Sequence, residues 1–424
     1  MLLSEIKKTL LSNQLDQQLI YINVDNDLNK IKERYLNLVD ATLNKFGDGD
    51  YQLLSASGRS EIGGNHTDHQ HGKVIAAAVN MDNICLVTKS TDLIVDYTTI
   101  GFNIKKVDLN NLDINPDEKH TSEALIRGIA ARFKQLGYKI GGFKGLGHCN
   151  VLMGSGISSS ASFEVLIAEI FNHLFNEGKI NAVEIAKIAQ YAENHYFQKP
   201  CGLLDQMAIS VGGFVHIDFK DPTNPIVEKI DFNFKDYGYN LVLVNTKGDH
   251  ANLSDEYGAI PTEIKSLAKL FNKEVISDIS LEDFINEIPK LRTAIANDRA
   301  ILRALHVLNE NKLVEEEVLA LKNKDINKML ELMKKSGNSS FKYLQNISVS
   351  TKPKVQNLAL ALALSETFLT KGAYRVHGGG FEGTIQAIVS DDELDSYIKL
   401  MNAYFGDDCC FVVNVRPVGG YKII

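Results

Sequence analysis

The sequence runs to 424 residues, of which 44% are apolar, which is long enough for two hydrophobic cores rather than one. Its formal charge of −8 gives no electrostatic reason to approach nucleic acid or an anionic membrane, and neither is expected as a partner. No basic and apolar leader opens it, no apolar run reaches the ~18 residues of a membrane span, and its five cysteines lack CxxC spacing; the expectation is a soluble, cytoplasmic chain with reduced thiols.

Residues 1–50 are polar and helix-compatible, and an apolar stripe at Ile31, Tyr35, Leu36, Leu38, Val39 and Leu43 predicts a lead-in helix. From 51 to 115, short β-rich runs such as KVIAAAV and DLIVDYTT, parted by Gly, Asn and Asp, predict a sheet. A helix is predicted over 122–136, with Leu125, Ile129, Phe133 and Leu136 on one face and Gly137 as its stop. HCNVLM, 148–153, reads as a strand, and Phe163, Leu166, Ile167, Ile170, Phe171 and Leu174 read as one face of a following helix. Another helix is predicted over 182–196, then a loop carrying Asp205, then the strand FVHIDF, 214–219. The turn-rich KDPTNP, 220–225, marks the expected boundary between a first domain, 1–222, and a second, 223–424. The second opens on the strand YNLVLVNT, is mainly helical over 262–345, and then alternates helix, Gly-rich turn and strand, so the fold class is α+β.

Four clusters could carry chemistry. In LMGSGISSSASFE, 152–164, Gly154 and Gly156 can take positive φ ahead of a serine run and a helix start. Backbone N–H groups and hydroxyls would there form a cradle for a polyphosphate; an ordinary strand-to-helix turn is the alternative, because no Gly-Lys-Ser/Thr follows. In SGRSEIGGNHTDHQHGK, 57–73, Arg59, Asn65, His66 and Asp68 crowd a glycine-rich turn and suit a polyhydroxylated or phosphorylated ligand. His66, Asp68, His69 and His71 also admit a zinc or iron site, and a plain polar turn is a third reading.

In AENHYFQKPCGLLDQ, 192–206, Asp205 precedes a helical run whose N-terminus favours the ionised carboxylate, a group able to take a hydroxyl proton. Glu193 could join the serine hydroxyls around Mg²⁺. The alternative makes Asp205 a helix cap and Glu193 a surface residue. Cys201 has no histidine partner identifiable in the sequence and reads as structural. The fourth cluster, YRVHGGGFEGTIQAIV, 374–389, is either a connection or a turn whose backbone presses on phosphates, and its distance along the chain favours a site between domains.

Taken in order, these clusters resemble the motifs of the GHMP family of sugar and metabolite kinases, and within it the galactokinase branch. SGRSEIGGNHTDHQHG is similar to the family's PGRxNLIGEHTDYxGG, LMGSGISSSAS to PxGxGLSSSAS, and HGGGFEGT to its GGGFGG turn. CGLLDQ resembles the segment bearing the branch's catalytic Asp, and VNTKGDHANLSDEY the segment ending in a sugar-contacting Tyr. The resemblance implies a mixed-sheet first domain, a ferredoxin-like second domain and an active site in the cleft.

It also implies an ATP-dependent sugar 1-kinase, with Asp205 facing the anomeric hydroxyl and Arg59 beside it. Asn65, His66, Asp68, Gly202 and Tyr257 would line the sugar pocket. Gly154, Gly156, Ser158, Ser159 and Ser160 would cradle the ATP phosphates, and Ser160 with Glu193 would hold Mg²⁺. Galactose is the expected sugar. The sequence departs from the motifs at Asn65 (Glu in GEHTD), at SGRSE for PGRVN, at Glu382 for a glycine, and at GAIPTE for an Arg pair. Asn65 keeps a kinase for N-acetylgalactosamine or arabinose as an alternative. A non-catalytic sugar- and ATP-sensing regulator is another, although such regulators lack the Ser-Ala pair present here as Ser160-Ala161.

Overall fold

The computed structural model describes residues 1–25, 27–151, 156–248, 253–381 and 383–424. Where one lead-in helix was expected, the chain forms α1 (Leu3–Leu11), α2 (Asp16–Asn23) and α3 (Leu28–Phe46). α3 buries Ile31, Tyr35, Leu38 and Val39, the stripe its sequence carries. Then come β1 (Gln52–Gly63), β2 (Lys73–Lys89), β3 (Ile94–Thr99) and β4 (Val107–Asp108), followed by α4 (Ser122–Gln135), whose first turn is capped by the Thr121 hydroxyl. β5 occupies Phe143–Cys149, upstream of the strand expected at 148–153. Its glycines explain the difference. A side chain at Gly147 would run into Tyr97 of β3, and one at Gly145 into Val87 and the Leu86 carbonyl of β2, so packing favours glycine in a strand that propensity alone would not predict.

Next are α5 (Ser159–Phe175), α6 (Ala182–Ala192), α7 (Leu204–Val211), β6 (Phe214–Asp218) and β7 (Ile226–Ile230). The second half comprises β8 (Tyr239–Asn245), α8 (Ser254–Leu270), α9 (Leu281–Ile295), α10 (Asp298–Lys322) and α11 (Ile326–Ser339). It closes with α12 (Asn357–Phe368), β9 (Ala373–Val376), β10 (Thr384–Ser390), α13 (Leu394–Phe405), β11 (Cys410–Val413) and β12 (Tyr421–Lys422).

The first sheet is ordered β12-β1-β2-β5-β3-β4, and the long β2 also pairs β6, which pairs β7. β3 and β5 run parallel while the other pairs are antiparallel, which makes the sheet mixed. Ile129 and Phe133 of α4 and Ile167 and Phe171 of α5 pack on Val87, Tyr97 and Phe143 to form its core. The second sheet, β11-β8-β10-β9, is antiparallel throughout, with its first strand between its last and its third. That is the ferredoxin-like order, with α8 to α11 inserted after β8. The fold is therefore α+β, as expected.

Lys220–Pro225 forms the turn of the β6–β7 hairpin, so the chain passes to the second sheet after Ile230 rather than at 222. β12 then returns to pair with β1. We propose a two-domain division on those terms, with the crossing at 231–238. Among the described residues, no helix is long and apolar enough to cross a membrane.

Candidate active site

Arg59 comes from the middle of β1 and Asp205 from the first turn of α7, and the two meet across the first sheet. The guanidinium grips both carboxylate oxygens, Nε to Oδ1 at 2.7 Å and Nη2 to Oδ2 at 2.8 Å, while Nη1 donates to the Gly156 carbonyl. The Ser158 hydroxyl also donates to Oδ2. Burial alone would raise the Asp205 carboxyl, but the Arg59 charge and the hydrogen bonds from Arg59 and Ser158 outweigh it and hold the group below the usual carboxylate range. With 33% of its side chain exposed, Asp205 remains reachable by a ligand.

These groups open on a cavity of about 210 Å³ lined by Arg59, Glu61, His66, Asp68, Gly202 and Asp205, with Gly378 and Gly379 opposite. Its size suits one small, polar ligand rather than a drug-sized one. Larger grooves open elsewhere, one of about 640 Å³ beside Arg34 and His148, but Arg34 there is engaged with the buried Asp82, which does not line the groove. Chemistry therefore locates the site better than volume does. Gly202 makes room for Asp68, because a β-carbon at 202 would push the Asp68 carboxylate aside. Burial pushes Asp68 up to about 6 against the N–H of His69.

The histidines form a relay of hydrogen bonds. Gln70 Nε2 lies 3.1 Å from His69 Nδ1, His69 Nε2 3.3 Å from His66 Nδ1, and His66 Nε2 3.1 Å from the Gly379 carbonyl. Donating along that direction satisfies every nitrogen with both rings neutral. Burial holds His66 down at about 4 and His69 at about 3. Among the described residues no group of three or more His, Cys, Asp or Glu is arranged to hold a metal ion, and the zinc or iron reading of His66, Asp68, His69 and His71 is set aside on this geometry.

Two expected sugar contacts lie away from the cavity. Asn65 is fully buried and its amide is saturated: Nδ2 donates to Glu61 Oε1 at 2.8 Å and to the Gly378 carbonyl at 2.7 Å, while Oδ1 accepts from Ser340 and Asn346 at 3.2 and 2.9 Å. No donor or acceptor is left for a ligand. Tyr257, on α8, packs edge-on against Phe381 and donates its hydroxyl to the Gly380 carbonyl at 3.0 Å, so it braces the glycine turn from behind. Gly154 lies outside the described residues. Gly156, Ser158, Ser159 and Ser160 lead into α5, and Ser158 makes no helix-capping bond because its hydroxyl is committed to Asp205.

Glu193 starts a single π-turn, Glu193–Phe197, that ends α6. Its Oε1 lies 3.5 Å from Ser160 Oγ and 3.1 Å from Lys199 Nζ, and its Oε2 accepts from Gln206 Nε2 at 2.8 Å. Gln206 also bonds Glu164, a buried acid raised by burial and then by the Glu193 charge. Cys201 lines the cavity, and burial, followed by the charge of Glu193, pushes its thiol well up, which fits a structural role rather than a nucleophilic one.

Sequence reasoning missed four participants: Glu61, His377, Lys199 and Gln206. Each stands inside or beside a quoted motif, so the signal was present while the role was not. His377 joins three clusters. Its Nε2 accepts from the Glu61 N–H at 3.3 Å and lies 3.0 Å from Ser60 Oγ, and its ring covers Gly156, where a side chain would strike Nδ1. Four non-glycine residues with left-handed backbone stand here, at His66 (φ 60°), Ser158 (61°), Gln198 (63°) and Phe381 (64°), while others are spread along the chain, many of them at helix ends.

Comparison with known proteins agrees with this geometry. The family description "GHMP kinases N terminal domain" matches residues 124–213, and "Galactokinase galactose-binding signature" matches residues 43–89. A galactokinase of Clostridium tetani is 28% identical over 406 residues, covering 93% of this chain and 94% of its own length. One from Glaesserella parasuis is 29% identical over 364 residues, covering 84% and 90%. The crystal structure of Lactococcus lactis galactokinase complexed with galactose superposes with a TM-score of 0.78 at 22% identity, covering 90% of this chain and 98% of that one. Methanococcus jannaschii mevalonate kinase shares the fold at a TM-score of 0.61 and 16% identity, covering 87% and 99%. On these matches the chain resembles the galactokinases over nearly its whole length, with residues 124–213 matching the GHMP kinases N terminal domain and residues 43–89 the galactokinase galactose-binding signature.

Proposed function

We propose that the chain is a galactokinase, an ATP-dependent sugar 1-kinase that moves the γ-phosphoryl group to the C1 hydroxyl of galactose. The observation that carries this reading is an ionised, doubly gripped Asp205 at the rim of a cavity for one small polyhydroxylated ligand. Of its two oxygens, Oδ2 takes bonds from Arg59 and Ser158, while Oδ1 takes one from Arg59 and keeps a lone pair for a hydroxyl of the sugar. A carboxylate held this acidic is a weak base, so it orients the C1 oxygen first and receives the proton as the new bond to phosphorus forms. Arg59 remains beside the transferring group and offsets its charge.

The residues present fit Mg²⁺. Ser160 and Glu193 offer oxygen only, one of them anionic, and Gln206 fixes the remaining Glu193 oxygen so that Oε1 faces Ser160. A bound Mg²⁺ would neutralise charge on the phosphate oxygens. Gly156, Ser159 and Ser160, at the start of α5, supply the backbone expected to cradle those phosphates. The cysteines Cys85, Cys149, Cys201, Cys409 and Cys410 are free thiols, and we assign the reaction to the reducing cytoplasm.

ADP release measured with Mg²⁺, ATP and a panel of sugars tests the reading. Galactose should give the highest kcat/KM. A higher value with N-acetylgalactosamine or arabinose would move the substrate and keep the chemistry, whereas no ADP above background with any sugar would overturn the kinase reading.

A further inference from the structure

The cavity holds a carboxylate to which the motifs give no role. Glu61, on β1, lies two residues beyond Arg59 and lines the cavity beside Asp68 and Asp205, with 9% of its side chain exposed. Its side-chain hydrogen bonds fall on one oxygen: Oε1 accepts from Asn65 Nδ2 at 2.8 Å and from Arg375 Nη2 at 2.9 Å. Among the described residues, Oε2 has no protein partner and is not sealed in the interior. Asn65, by contrast, is closed off with every amide atom engaged.

Two of this chain's departures from PGRxNLIGEHTD, at 61 and 65, are an exchange of the same two chemistries. The motif has Asn, then Glu four residues on; here Glu61 comes first and Asn65 second. In this chain the amide of Asn65 donates to the carboxylate of Glu61, and the carboxylate stands on the cavity side. Once ionised, above about pH 7, a carboxylate oxygen accepts hydrogen bonds only, so there it selects a ligand group that donates one, such as a sugar hydroxyl.

We propose that Glu61 is a specificity-determining residue of this chain, its Oε2 accepting a hydrogen bond from one sugar hydroxyl while Asn65 positions it from behind. The inference rests on the sugar-kinase reading for its ligand class. Arg375 and Asn65 hold Oε1 and thereby fix the direction of Oε2, and the His377 ring fixes the strand by taking the Glu61 N–H.

Equilibrium calorimetry on the full chain gives the test. The titrant is whichever panel sugar the wild type binds most tightly, together with each of its monodeoxy forms, run on the wild type, Glu61→Gln and Glu61→Asp after their melting curves show both variants folded. Glu61→Asp keeps the charge opposite Arg375 and withdraws the oxygen, so it remains informative if Glu61→Gln fails to fold. The variants should bind the parent sugar about 10-fold to 100-fold more weakly, and one deoxy form, already weak on the wild type, should lose less than twofold further. Binding within twofold of wild type for every ligand, or an equal loss for all of them, would overturn the proposal. Coupling to one hydroxyl without ADP release would sustain Glu61 as a sugar contact and overturn the kinase reading; turnover without coupling would do the reverse. A wild type that binds none of the sugars would overturn both.

Discussion

At the scale of single residues, the site rests on acids whose ionisation the fold controls in opposite directions. Asp205 is held low by Arg59 and Ser158 despite its burial, whereas burial pushes Glu61 up to about 7 from 4.5. For Glu61 the sign follows from linkage: its stabilising contribution is fully present below about pH 4.5 and is lost as pH rises through 7. Glu61→Gln has no such proton to lose. It should gain on the wild type by about 2 to 3 kcal/mol between pH 5 and pH 8, at ~1.4 kcal/mol for each tenfold difference in proton affinity between the folded and unfolded chain. Urea melts at both pH values measure this, and a stability difference independent of pH would contradict it. Gly202→Ala should raise the KM for the sugar more than it lowers kcat, because the added carbon displaces the Asp68 carboxylate. An unchanged KM would show that Asp68 does not meet the sugar. Arg59, Asp205 and Gly202 were legible in the sequence because each lies inside a contiguous motif. The engagement of Asn65 was not, because it depends on Ser340 and Asn346, 275 and 281 residues away.

At the scale of elements, helix ends and turns aim the side chains of the site. The predicted helix over 182–196 is accurate in register through Ala192, and the chain then widens into a π-turn that points Glu193 at Ser160. Periodicity cannot reveal such a turn, since it adds one residue to a single loop of helix without altering the pattern before it. Lys199 then reaches back to Glu193 Oε1, the oxygen expected to meet Mg²⁺. Lys199→Met should strengthen Mn²⁺ binding by at most about fivefold, the scale of a half-exposed ion pair (side chain 57% exposed). Electron paramagnetic resonance of free Mn²⁺ reads this directly. Weaker binding would show that Lys199 supports the metal instead of competing with it. Among strands, β5 is the comparable case: its glycines look like breakers until Tyr97 of β3 is seen to fill the space at Gly147 and Val87 of β2 that at Gly145.

At the scale of the molecule, a buried cluster joins the beginning, middle and end of the chain. Asp82, fully buried between β1 and β5 on β2, accepts from Arg34 of α3 at 2.5 Å, from Ser55 of β1 at 2.5 Å and from Arg416 near the C-terminus at 3.0 Å. Asp82→Ala leaves the Arg416 charge buried without its partner and should cost about 3 to 5 kcal/mol, read by chemical denaturation. A loss below ~1 kcal/mol would show that the cluster does not hold these segments together. Nothing in the sequence near residues 34, 82 or 416 announces the contact, just as nothing announces the return of β12 to the first sheet; α+β content was legible from local pattern, and these closures were not. The proposed chemistry depends on Asp205 directing one hydroxyl to phosphorus. Its most direct test compares the wild type with Asp205→Asn, which keeps the shape of the side chain, in ADP release with galactose and in ³¹P NMR of the product. The expected result is an anomeric phosphate from the wild type and a rate about 10²- to 10⁴-fold lower from the variant. A phosphate on any other carbon, or a variant as fast as the wild type, would contradict it.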